Sequence, residues 1–144
     1  MEYTLKKKFR FEAAHRLAKG YVGKCSNIHG HSWNGELEVT TNKVDDKGLA
    51  VDFSVLKGFL KMIEERFDHK LILWEGDAPF VMAMDGMTDV ETVYANPTSE
   101  TLAQLIYREF AWWVESHQEY GIISFKVHIA ETCTCCCTYT ESKA

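Results

Sequence analysis

Two long stretches of this chain alternate apolar with polar residues, and each carries histidine in its apolar set. In Tyr3 to His15, the residues Phe9, Phe11, Ala13 and His15 share one parity, while Lys8, Arg10, Glu12 and Ala14 share the other. Side chains of an extended strand point alternately to its two faces, so this reads as a strand with His15 on the core side. His29 to Thr41 repeats the pattern. His29, His31, Trp33, Leu37 and Val39 face one way, and Ser32, Asn34, Glu36, Glu38 and Thr40 face the other. The segment between, with Gly20 and Gly23, can turn the chain, so the two strands pair antiparallel and His15 comes near His29 and His31.

Three neutral imidazoles on adjacent strands form a metal site that leaves one tetrahedral position open, the arrangement of catalytic zinc. His15, His29 and His31 are therefore the candidate zinc ligands. His117 and His128 read as ordinary core or surface histidines. Cys25, four residues before His29, can be a fourth ligand, a nucleophile, a base or an inert thiol. Its polar, glycine-flanked loop beside Lys24 favours a thiolate available for proton transfer, and a structural site of one cysteine and three histidines is the competing reading.

Further along, LAVDF leads into SVLKGFLKMIEERF, where Val55, Leu56, Phe59, Leu60, Ile63 and Phe67 recur at helical spacing. Asp52 or Ser54 can cap this helix, which should stop near Asp68 and His69. That pair is either a C-terminal cap or a carboxylate orienting an imidazole that shuttles protons. The segment from Trp74 to Asn96 lacks clear periodicity and reads mostly as loop. NPTSETLAQLIYREFAWWVESHQEYG then supplies a helix start, an amphipathic run and a glycine stop.

From Ile122 the period returns to two, with Ile123, Phe125, Val127, Ile129 and Glu131 on one face. Glu131 at the end of an apolar row needs donors, from an internal Arg or Lys or from a ligand presenting two parallel N–H groups. A short strand from Cys136 to Thr140 completes a ββ-α-α-ββ order. The expectation is an α+β fold, a four-stranded antiparallel sheet with two helices packed on one face. Neighbouring cysteines on a strand face opposite ways, so Cys133, Cys135, Cys136 and Cys137 read as small buried residues and not as a converging metal site.

The chain has 144 residues, 46% of them hydrophobic, which suits one domain over 1–144. With no run of about 18 apolar residues and no apolar centre near the N-terminus, a cytoplasmic protein without membrane contact is expected. A net charge of −5 argues against a general nucleic-acid binder. The N-terminal part through Lys24 is basic all the same, and could attract an anionic small molecule.

FEAAHRL, C-x-x-x-H-G-H, LAVDFSVLK, ERFDHKLI, NPTSETLA and IAETCT occur here in an order that resembles the 6-pyruvoyltetrahydropterin synthase family. The short spacing from Cys25 to His29 is similar to that of its bacterial branch, which acts in 7-deazaguanine and queuosine biosynthesis. The resemblance implies a tunnelling fold whose sheets join around a trimeric barrel, with two trimers forming a homohexamer and active sites between subunits. It implies zinc on His15, His29 and His31, and catalytic roles for Cys25, Asp68 and His69. It implies a pterin anchor at Glu131 and pocket-lining residues at Thr98, Ser99 and Glu100. The implied substrate is 7,8-dihydroneopterin triphosphate, giving a 6-carboxy product, acetaldehyde and triphosphate, or a 6-pyruvoyl product in the sister reaction. The cysteine-rich tail and the long DAPFVMAMDGMTDVETVYA segment depart from the family pattern.

Overall fold

The computed structural model describes residues 1–142. The chain order is β1 (Tyr3–His15), β2 (His29–Thr41), α1 (Phe53–Phe67), β3 (Lys70–Trp74), α2 (Ala78–Ala83), β4 (Val90–Val93), α3 (Ser99–Glu115), β5 (Ile122–Thr132) and β6 (Cys135–Tyr139). The strands form one sheet in the order β4-β3-β1-β2-β5-β6. As the alternation requires, β1 and β2 pair antiparallel, with Phe11 opposite Trp33, Ala13 opposite His31 and His15 opposite His29.

The four-stranded expectation needs correction. β3 adds parallel to the end of β1, beside Ala13 to His15, and β4 adds parallel to β3, so the sheet is mixed and has six strands. Its signal was weak because parallel strands are buried on both faces and lose their alternation; Ile72 and Leu73 are both fully buried. The stretch read as loop likewise contains α2 and β4, and the helices number three among the described residues.

One face of the sheet carries the core. Phe9, Phe11, Trp33, Leu37, Val39, Val127 and Ile129 are buried there against Leu56, Phe59, Ile63 and Phe67 of α1 and Leu102, Ile106 and Phe110 of α3. Asp52 caps α1 by accepting from the Ser54 N–H, and Thr98 caps α3 by accepting from the Thr101 N–H. α1 ends at Asp68, and His69 turns the chain toward β3 with a left-handed φ of 57°.

The opposite face is a ladder of charges. Glu38 lies 3.0 Å from the Lys126 ammonium and 3.3 Å from that of Lys6, and 3.4 Å from His128 Nε2. Glu36, Glu38 and His128 come close enough together to hold an ion. The two lysines already neutralise Glu38, so the group is an ion-pair network.

α1 also covers part of the open side of β1. The Arg10 N–H donates to Glu64 Oε1 at 3.1 Å and the Glu12 N–H to Asp68 Oδ1 at 2.8 Å. In the β5–β6 hairpin, Cys133, Cys135 and Cys136 are exposed, which corrects the expectation of small buried residues. Only Cys137 is half-buried, and burial, then Glu100 nearby, pushes its thiol up.

Candidate active site

The paired ends of β1 and β2 put His15, His29 and His31 together, one ring nitrogen of each within 4.8 Å of the others. Trp33 forms the floor, its ring centroid 5.0 Å from that of His15 and 5.4 Å from that of His31. Its indole N–H donates to the Ala13 carbonyl at 3.2 Å, which fixes the plane on which the imidazoles stand.

Backbone carbonyls set the tautomers of two rings. His15 Nδ1 donates to Pro97 O at 2.6 Å, and His29 Nδ1 donates to Asn27 O at 2.7 Å. Each neutral ring then keeps its lone pair on Nε2, and the two Nε2 atoms lie 3.0 Å apart. Two lone pairs that close repel unless a cation sits between them. A shared proton is the poor alternative, because burial pushes His15 down to about 4. His31 brings a ring nitrogen to the same cluster, and its Nε2 is buried without a hydrogen-bond partner. These donors suit a d¹⁰ or similar divalent ion, and the carbonyls behind them are the outer shell that such ligands require.

Glu131 ends β5 beside this cluster, its carboxylate 3.9 Å from His31 Nε2. No lysine or arginine reaches it among the described residues, so the internal-cation reading is set aside. Cys25 lies in a 3-10 turn, Lys24–Ser26, where its carbonyl accepts from the Leu17 N–H at 2.8 Å. The Tyr21 hydroxyl lies against its thiol, which raises the phenol above its ordinary range. Thr98, Ser99 and Glu100 start α3 directly after Pro97, so they border the cluster through the His15 contact.

Asp68 and His69 are placed differently. Asp68 accepts from the Glu12 N–H and, at 2.8 Å, from His69 Nδ1; these bonds, the Glu12 one foremost, hold its carboxyl below its ordinary range. His69 is exposed in a groove lined by Glu12, Ala14, Gly30 and Ser32 of the polar parity and also by Ala13 and His31 of the other. Among the described residues no hydrogen bond joins this pair to Cys25. His117 stacks on Trp113 at 3.8 Å and His128 bonds Thr138 at 2.7 Å, the ordinary roles expected of them. Sequence reasoning missed the supports, Pro97 O, Asn27 O and the Asn96 side chain. Carbonyls leave no side-chain signature, and only the NPTSE motif offered a clue.

The sequence profile for 6-pyruvoyl tetrahydropterin synthase matches residues 4–142. The chain is 31% identical over 126 residues to the 6-carboxy-5,6,7,8-tetrahydropterin synthase of Rickettsia typhi, covering 85% of this chain and 91% of that protein. It is 30% identical over 141 residues to that of Bacillus subtilis, covering 98% of this chain and 87% of the relative. Among solved structures, the 6-pyruvoyl tetrahydropterin synthase of Plasmodium vivax superposes with a TM-score of 0.79 at 17% identity, covering 99% of each chain. That of Caenorhabditis elegans superposes with a TM-score of 0.71 at 25% identity, covering 99% of this chain and 97% of the other. With the profile spanning nearly the whole sequence and the imidazole cluster at the strand ends, the chain belongs to the 6-pyruvoyl tetrahydropterin synthase family.

Proposed function

We propose that this chain is a zinc-dependent lyase of one domain, residues 1–144. It converts 7,8-dihydroneopterin triphosphate to 6-carboxy-5,6,7,8-tetrahydropterin, acetaldehyde and triphosphate, a step of queuosine and other 7-deazapurine biosynthesis. The observation that carries the reading is the pair of Nε2 lone pairs of His15 and His29, 3.0 Å apart with both Nδ1 atoms tied to carbonyls. The curated relatives' names give the reaction its direction.

His15, His29 and His31 would hold the zinc, which supplies Lewis acidity toward the substrate's side-chain oxygens. Cys25, in the turn that leads into His29, takes the acid–base role at the acidified side-chain carbon. Asp68 orients His69 through Nδ1, so that His69 Nε2 can deliver or accept a second proton. Glu131 accepts the pterin amino and ring N–H together, a charge-assisted pair of bonds. Thr98, Ser99 and Glu100 border the pterin pocket.

His69 opens onto the polar side of the sheet, whereas His15 faces the core side. In the proposed assembly one complete site draws Cys25 and Asp68–His69 from different subunits, in keeping with the lack of any hydrogen bond between them within the described residues of one chain. The proposed assembly is a homohexamer, a dimer of trimers. Two open stretches of its sheet support this: the outer strand β6 has a free edge, and β1, although inner, is unpaired on one side over the residues that β3 does not reach. No helix among the described residues is long and apolar enough to cross a membrane. The reading includes a cytoplasmic location, with no nucleic-acid or membrane partner.

Incubating the purified protein with dihydroneopterin triphosphate and identifying products by mass tests the reaction. Acetaldehyde with a 6-carboxypterin is the expected outcome. A 6-pyruvoyl product without acetaldehyde would assign the sister activity, and no turnover would refute both.

A further inference from the structure

Asn96 uses every polar atom of its side chain on the loop that follows His15. Its Oδ1 accepts from the Ala18 N–H at 3.1 Å and the Lys19 N–H at 2.9 Å, and its Nδ2 donates to Lys19 O at 2.9 Å. Two backbone donors and one carbonyl demand an amide in this one orientation, because an aspartate has no donor for Lys19 O and a leucine has nothing for any of them. Asn96 O accepts from the Thr98 N–H at 2.8 Å, so the residue is also seated on the start of α3.

Two connections run from this clamp into the site. The next residue, Pro97, has its φ fixed by the ring, and its carbonyl is the one that accepts from His15 Nδ1. On the other side, Leu17 adjoins the clamped Ala18, and the Leu17 N–H donates to Cys25 O at 2.8 Å. One short run of backbone on each side of Asn96 thus reaches a candidate metal ligand and the candidate thiol.

We infer that Asn96 is a positioning residue that holds His15 and Cys25 in one frame, through the Pro97 carbonyl and the 17–19 loop. The inference rests on the proposed roles of those two residues. It predicts that loosening the clamp alters metal geometry and thiol presentation together, although Asn96 touches neither metal nor thiol.

Wild type, Asn96→Ala and Asn96→Asp are loaded with cobalt(II) as a visible probe, and His29→Ala is the control for metal at the imidazoles. Iodoacetamide labelling of Cys25 is followed by peptide mass, with the exposed Cys136 of the β5–β6 hairpin, which Asn96 does not contact by hydrogen bond, as internal reference and the melting temperature recorded in parallel. Asn96→Ala should bind cobalt about 10- to 100-fold more weakly, the usual effect of losing an outer-shell partner, with a shifted visible band. Its Cys25-to-Cys136 labelling ratio should also change severalfold. Asn96→Asp keeps both acceptor bonds and should fall between; it carries the test if the alanine variant does not fold. An unaltered band, affinity and labelling ratio in a folded variant overturn the inference. A cobalt band that survives in His29→Ala overturns the metal reading instead, and the labelling ratio then decides on Asn96 alone.

Discussion

Glu131 Oε2 lies 3.9 Å from His31 Nε2, so the carboxylate near the end of β5 faces the third imidazole on the neighbouring strand β2. Among the described residues no lysine or arginine reaches it, and in the proposed reading the pterin supplies its donors. Glu131→Gln keeps the shape but puts an N–H where an acceptor is needed, which costs about 2–4 kcal/mol in a desolvated pocket. Calorimetric titration with a non-reactive pterin should show binding weaker by roughly 30- to 1,000-fold. Metal content should be unchanged, and a fall in it would make Glu131 a metal ligand.

Each of His15→Ala, His29→Ala and His31→Ala should lose the bound metal, measured by elemental analysis of the purified protein. Three ligands leave no spare, and two imidazoles alone hold zinc poorly. His15 is also fully buried beneath its neighbours, so its variant should melt at lower temperature than the other two. Full zinc occupancy in any one of them would remove that residue from the set.

Cys25→Ala should retain about one zinc per chain, as three imidazoles suffice for the ion. Turnover should fall on the order of 10²-fold or more, the scale for removing an acid–base group. Metal loss in this variant would make the thiol a structural ligand.

Phe67 is fully buried, its ring 5.4 Å from that of Phe11, at the last turn before Asp68. Phe67→Ala should destabilise the fold by about 3–5 kcal/mol, read by denaturant unfolding.

Hydrogen bonds from Lys126 and then Lys6 hold the Glu38 carboxyl below its ordinary 4.5. The unfolded chain therefore takes up this proton at a higher pH than the folded chain does. The stabilisation from Glu38 is complete above about 4.5 and disappears as pH falls through the lower, folded value. Glu38→Gln should flatten the acid limb of a stability–pH curve, and an unchanged limb would show that the ladder carries no net stability.

Strict alternation made β1 and β2 legible to the residue, because one face of each is buried and the other polar, and the same parity delivered the three imidazoles. α1 was readable from its apolar spacing and the Asp52 cap. β3 was not, since KLILW is too short and too evenly apolar to declare a period, and VETV forms a strand only because β3 is there to pair with. Within the site, side chains with metal-binding chemistry announced themselves. Pro97 O, Asn27 O and the Asn96 clamp depend on chain segments far apart in sequence, which local patterns do not encode.

The partial cover that α1 lays along β1 sets a ruler for self-association. Glu64 and Asp68 take up the outward N–H groups of Arg10 and Glu12, and by the same alternation those of Thr4, Lys6 and Lys8 are the ones still open. A strand arriving from another copy can zip along β1 only as far as Lys8 before it meets an edge already spoken for. Sliding it one step would displace a carboxylate from a backbone bond. The register of a barrel built through this edge would thus be set within the isolated subunit, by the Glu64 side chain of α1 and the Asp68 side chain at its C-terminal cap.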